Sequence, residues 1–201
     1  MAQTDNIKRK LAAILSADVQ GYSRLMGDDG MATIRTLTTY RKLMSRIIQE
    51  HSGRVVDSPG DNLLAEFSSA VDAVQCAVEV QTELAIRNAE LPEDRQIHYR
   101  IGGNVGDVIV EDERIYRIYG DGVNIAARLE SLADGGGICI SGTVYDQIAN
   151  KLDIAFEYQG EQTVKNIAKP IQVYRIHLEP VGAETRVHPV STPEKTSALP
   201  D

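Results

Sequence analysis

The sequence predicts an α+β domain, an antiparallel sheet with helices packed on it, from three observations. Strand and helix signals run in the order β-α-β-β-α-β with strands added at the C-terminus. A continuous apolar run, Leu11–Ala17, is short enough for a strand buried on both faces. A chain of 201 residues with 42% hydrophobic residues can bury a core without staples.

Each element has its own signal. Asp28 and Asp29 precede a helical pattern of Met31, Ile34, Leu37, Met44, Ile47 and Ile48, and acids suit a helix N-terminus. His51-Ser52-Gly53 stops that helix. Arg54–Asp57 and Asn62–Phe67 are short strands around a Ser-Pro-Gly-Asp turn. Ser68 or Ser69 caps a helix with Val71, Val74, Val78 and Ala85 on one face, ended by Leu91-Pro92. Tyr99–Val105 and Asp107–Val110 read as the two strands of a hairpin, and a helix starts at Asp121. Gly137–Ser141 is a strand, Thr143–Lys151 a helix, and Phe156–Val164 with Ile171–Ile176 a closing strand pair. The order is ferredoxin-like, with the helices expected on one face. The triplet Arg-Ile-Tyr occurs at 114–116 and again at 117–119. It lengthens one hairpin.

Residues 8–179 form the expected domain. The segment 180–201 holds four of the seven prolines with Ser, Thr and Ala, and reads as a flexible tail or a linker to regulatory modules.

Composition excludes several function classes. The net charge of −8 argues against a nucleic-acid partner, which demands a basic patch. Two cysteines, Cys76 and Cys139, rule out a disulfide framework and read as buried thiols in a reducing cytoplasm. No apolar run reaches the ~20 residues of a membrane span. The phosphate-binding P-loop, the His-Glu-x-x-His zinc motif and the Gly-x-Ser-x-Gly elbow are absent. His51, His98, His177 and His188 are scattered and read as surface residues.

The chemistry-bearing candidates are few. Asp18 follows directly on the buried strand, and Asp61 sits in the turn between two short strands. Two carboxylates on strand ends can share divalent cations; each alone also reads as an ordinary turn or cap residue. Gly21, Tyr22 and Ser23 can open a helix whose free amides hold phosphate oxygens. Asn124 and Arg128 lie four apart, on one helix face. The amide can orient a sugar, and the guanidinium can hold a phosphate.

Three motifs occur in order: Ala-Asp-Val-Gln-Gly-Tyr-Ser at 17–23, Gly-Asp-Asn-Leu-Leu-Ala-Glu-Phe at 60–67, and Gly-Asp-Gly-Val-Asn-Ile-Ala-Ala-Arg-Leu at 120–129. With the closing Gly-Glu-Gln-Thr-Val-Lys-Asn-Ile-Ala-Lys-Pro-Ile-Gln-Val-Tyr at 160–174, they make the chain resemble the class III adenylate/guanylate cyclase catalytic domain over about residues 8–178. The resemblance implies that Asp18 and Asp61, with the Val19 carbonyl, hold two Mg2+ or Mn2+ ions per site. It implies that Asn124 orients the ribose, Arg128 stabilises charge on the α-phosphate and Lys165 meets the triphosphate. The product would be a 3′,5′-cyclic nucleotide with pyrophosphate. It further implies a homodimer with Asp18 and Asp61 from one subunit and Asn124 and Arg128 from the other.

The purine positions depart from the family's pattern. Asp57 and Arg117 stand where adenylate cyclases commonly carry a lysine and an aspartate, and Arg114 could take the second place in another register. A carboxylate and an arginine can meet the donors and acceptor of guanine, meet adenine with their places exchanged, or pair with each other. Similar bacterial cyclases share the Asp-Ser-Pro-Gly-Asp run and are usually adenylate cyclases, so ATP is the first expectation and GTP the alternative. A non-catalytic cyclase-like domain that binds nucleotide or only dimerises is the rival from another class. A diguanylate-cyclase reading lacks its Gly-Gly-Asp/Glu-Glu-Phe hairpin.

Overall fold

The computed structural model describes residues 7–112, 116–165 and 167–178. The expected tail, 180–201, lies outside them, as does the first Arg-Ile pair of the duplicated triplet.

Eight strands form one sheet: β1 (Ile7–Val19), β2 (Arg54–Asp57), β3 (Leu63–Phe67), β4 (Tyr99–Asp112), β5 (Tyr116–Tyr119), β6 (Ile138–Ser141), β7 (Phe156–Gln162) and β8 (Ile171–Ile176). The order across it is β2-β3-β1-β4-β6-β8-β7, with β5 hairpinned onto β4. Pairing is antiparallel except for β4 with β6. The expected α+β class holds.

Alternation along β1 sorts the core into two layers. Ala13, Leu15, Ala17 and Val19 face helices α1 (Tyr22–Glu50), α2 (Ala70–Asn88) and α4 (Gly142–Ile148). Ala12 and Ile14 face the other way, against Ala126 of helix α3 (Asp121–Leu132). The helices therefore occupy both faces, three against one, where one face was expected.

Two local readings are corrected. Tyr99–Val110 is not a hairpin but the body of the long strand β4, which pairs with β1 from Val19↔Tyr99 to Ile7↔Glu111. Glycines in it serve a close approach. A Cβ on Gly102 would stand 2.1 Å from the Ala126 carbonyl oxygen and 2.2 Å from the Glu130 amide nitrogen of α3. Both contacts are backbone, so nothing can swing aside. We expect Gly102→Ala to cost about 3 kcal/mol and to lower the thermal midpoint by roughly 10 °C, read by circular dichroism.

Helix α1 begins earlier than expected, at Tyr22, and kinks at Asp29, whose φ of −156° and ψ of 88° are not helical. There the Asp29 carboxylate accepts the Ala32 N–H at 3.0 Å and caps the second segment. The expected acidic start is thus an internal cap. On α2, Ser69 caps by accepting the Asp72 N–H at 3.2 Å. The buried stripe runs through Ala73, Val74, Ala77, Val80 and Leu84, while Ala85 faces solvent. Cys76 and Cys139 are free and buried, as expected; burial pushes the Cys76 thiol up to about 12. Among the described residues no helix is long and apolar enough to cross a membrane.

Candidate active site

The end of β1 and the β2–β3 turn meet at one end of the strands. Asp18 is the penultimate residue of β1, on the strand face that carries Ser16. Asp61 lies in the turn after β2, and its Oδ2 accepts the Val19 N–H at 3.3 Å. That bond sets two of the expected metal-site residues, Asp61 and Val19, side by side, one residue along β1 from Asp18. The turn itself is tied to α1. Arg41 donates from Nε to the Ser58 hydroxyl at 2.9 Å and from its terminal nitrogen to the Ser58 carbonyl. Asp57 Oδ1 accepts the Ser58 N–H at 2.8 Å.

Gly21, Tyr22 and Ser23 follow immediately. Gly21 caps α1 in the left-handed region, φ 71°, which favours glycine. No side chain caps this end. The Tyr22 and Ser23 amides therefore lack intrahelical partners, whereas those of Arg24 and Leu25 bond to the Gly21 carbonyl.

Asn124 and Arg128 are exposed on α3. Glu130 on the same helix is buried against the sheet, and Arg128, two residues earlier, is turned about 200° from it. The protomer therefore does not bring Asn124 and Arg128 onto its own carboxylate pair. Lys165 is exposed in the turn between β7 and β8.

The register of the β4–β5 hairpin places Arg117 opposite Glu111 and Ile118, buried, opposite Val110. Arg117 is exposed. Its guanidinium is held in the charged form first by the Tyr119 hydroxyl and then by Glu111 and Asp57. Asp57 and Arg117 thus share one electrostatic neighbourhood in one protomer. Arg114 lies outside the described residues. A latch fixes this register. Tyr116 donates to Glu66 Oε1 at 2.6 Å, Lys10 pairs with Glu66 at 3.0 Å, and the Arg54 guanidinium stacks 4.0 Å from the Tyr116 ring.

Three residues that sequence reasoning missed complete this edge. Arg100, in register with Asp18 on β4, donates from Nε to Asp18 Oδ1 at 2.8 Å and from its terminal nitrogen to Oδ2. Glu130 accepts the Ser16 hydroxyl. Burial pushes its carboxyl above the usual carboxylate range, and the Asp18 charge adds to that, while Ser16 and Arg100 oppose it. Tyr99 is fully buried and its hydroxyl has no partner among the described residues. Burial raises it, the Arg41 guanidinium opposes that, and Asp61, Tyr22 and Asp18 add to it. The available signal was period two: Ser16 and Asp18 share a face, and Arg100 stands beside them once β4 is one strand.

A cavity of 740 Å³ lies elsewhere, lined by Asp107, Gly120, Asp121, Thr143 and Lys169. It adjoins the start of α3 but none of the expected site residues lines it.

Residues 6–178 match the family described as Adenylate and Guanylate cyclase catalytic domain. The chain belongs to that family. The cyclase domain is 44% identical over 171 residues to "Putative adenylate cyclase 3" of Rhizobium meliloti (strain 1021), a stretch that is 85% of this chain and 29% of the relative. The chain spans 20% and 54% of two further curated relatives. The adenylate/guanylate cyclase/hydrolase of Silicibacter pomeroyi superposes with a TM-score of 0.80 at 39% identity, covering 87% of this chain and 100% of that one. The guanylyl cyclase Cya2 superposes at 0.73 with 25% identity, covering 84% and 92%. The cyclase domain thus resembles structures bearing either name.

Proposed function

We propose that the cyclase domain is an adenylate cyclase, converting ATP to 3′,5′-cyclic AMP and pyrophosphate in cytoplasmic cyclic-nucleotide signalling. The observation that supports this is the bond from the Val19 N–H to Asp61, which ties the β2–β3 turn to the residue after Asp18, in a chain of this family.

The donor set fits Mg2+ or Mn2+: two carboxylates and the Val19 carbonyl are hard oxygen ligands. Among the described residues no group of three or more His, Cys, Asp or Glu gathers for a metal. That suits an ion whose remaining ligands are water and substrate phosphate. When bound, a pair of such ions supplies acidity to the ribose 3′-hydroxyl and neutralises charge on the triphosphate.

The chain's own residues do the rest. The 3′-oxygen bonds to the α-phosphorus, the bond to the bridging oxygen of the β-phosphate breaks, and pyrophosphate leaves with release of one proton. Asn124 orients the ribose. The Arg128 fork meets the α-phosphate as its charge grows. Lys165 and the amides of Gly21, Tyr22 and Ser23 hold the phosphates. Asn124 and Arg128 come from a second copy, because α3 turns them away from their own protomer's carboxylates. In this reading residues 8–179 would form the catalytic unit, with 180–201 a tail or a linker.

A second reading, GTP as substrate, is supported by residue chemistry: a carboxylate at Asp57 and a guanidinium at Arg117 can meet the guanine donors and O6. ATP and GTP supplied together with Mg2+ and with Mn2+, and the products separated by mass spectrometry, decide between them. We expect cyclic AMP to dominate. A preference for cyclic GMP overturns the first reading, and no cyclic product overturns both.

A further inference from the structure

In the described protomer Asp18 is already engaged. The Arg100 fork covers both of its carboxylate oxygens, a geometry that adds direction to charge. The two side chains are 23% and 16% exposed, so the pair is shielded from solvent far more than an open surface bridge. Among the described residues Asp18 is the one hydrogen-bonding partner of Arg100. Buried Glu130 lies close enough for its charge to act on both, and it is tied down by Ser16. The arrangement is a carboxylate held between a cation from the neighbouring strand and a second carboxyl group from α3.

A divalent cation bound through Asp18 must take at least one of the oxygens that Arg100 holds. We propose that Arg100 is a positioning residue, the internal counter-ion of Asp18, which holds that carboxylate at the end of β1 in the cation-free protein and competes with the divalent cation for it. The inference rests on the assignment of Asp18 to the cation site. Its consequence is a raised threshold for cation alone. A cation that arrives with nucleotide phosphates brings part of its own coordination, whereas a bare ion must win Asp18 from Arg100 unaided.

The test uses Mn2+ alone, without nucleotide, on the full chain, with free Mn2+ read by electron paramagnetic resonance. Wild type, Arg100→Gln, Arg100→Lys and Asp18→Asn are compared, with melting curves for each. Arg100→Gln is expected to bind Mn2+ about tenfold more tightly than wild type. Arg100→Lys keeps the charge but loses the fork, and is expected to tighten binding by roughly threefold. It carries the test if the Gln variant does not fold. Asp18→Asn is expected to weaken binding. A gain in cation affinity is not what loss of a merely structural residue produces. Unchanged or weaker Mn2+ binding in the Arg100 variants, with binding still dependent on Asp18, overturns the counter-ion role and leaves the cation-site assignment standing. Wild-type Mn2+ binding indifferent to Asp18→Asn overturns both.

Discussion

Asp61→Asn is expected to lower cyclase turnover by roughly 10²–10³-fold, the loss of several kcal/mol of transition-state stabilisation, while the melting temperature stays within about 2 °C of wild type. The two halves of that expectation have separate causes. Asp61 is in a turn, and its one hydrogen bond is accepted from the Val19 N–H. An asparagine carbonyl can accept the same bond, so the local fold survives. What the substitution removes is the negative charge, and with it a hard oxygen ligand. Steady-state cyclase assays at saturating Mn2+, beside circular dichroism melts, measure both. A variant that keeps its turnover would place the cations elsewhere. A wild-type protein without turnover, whose melting is nevertheless raised by ATP, would instead favour the non-catalytic nucleotide-binding reading.

The second large effect is complementation. Asp18→Ala and Arg128→Ala are each expected to be nearly inactive as pure proteins, because each homodimer would carry the same defect in both sites. Mixed in equal amounts and allowed to exchange subunits, half the dimers are mixed. In a mixed dimer one site carries both substitutions and the other carries neither. The mixture should therefore recover about a quarter of wild-type specific activity. The physical basis is the orientation of α3. Its buried stripe of Ala126, Leu129 and Glu130 faces the sheet, leaving Asn124 and Arg128 on the opposite side. Activity that stays at the level of the separate variants, with mixed dimers demonstrated by mass spectrometry, would assign all the site residues to one protomer.

Much of the fold was legible because apolar periodicity records burial directly. Leu11–Ala17, the Ser69-capped helix and the closing strand pair follow from it. The continuity of β4 was not legible, because α3 rests on Gly102 and Gly106 through tertiary contacts that no single segment records. The sidedness of α3 was hidden for a related reason, since an amphipathic pattern shows that a face is buried but not against which side of a sheet. At the site, Asp18 and Asp61 stood out because strand ends and turns are local features. Arg100 and Glu130 did not, because their relation to Asp18 runs through strand register across β1 and β4 and through the pose of α3, neither of which is written in any one segment.

The unequal anchorage of the two carboxylates has a dynamic consequence. Asp18 belongs to β1, whose ladder with β4 runs without interruption from Ile7 to Val19 and forms the middle of the sheet. Backbone paired within the middle of a sheet is among the last to open. Asp61 belongs to a short exposed turn, tethered by Arg41 at Ser58 and by a single bond to Val19. One jaw of the candidate cation grip is thus stationary and the other can travel. The β2–β3 turn directly follows Asp57, the last residue of β2, so on the proposed assignment any adjustment of Asp61 to an ion would be felt beside the residue proposed to face the base.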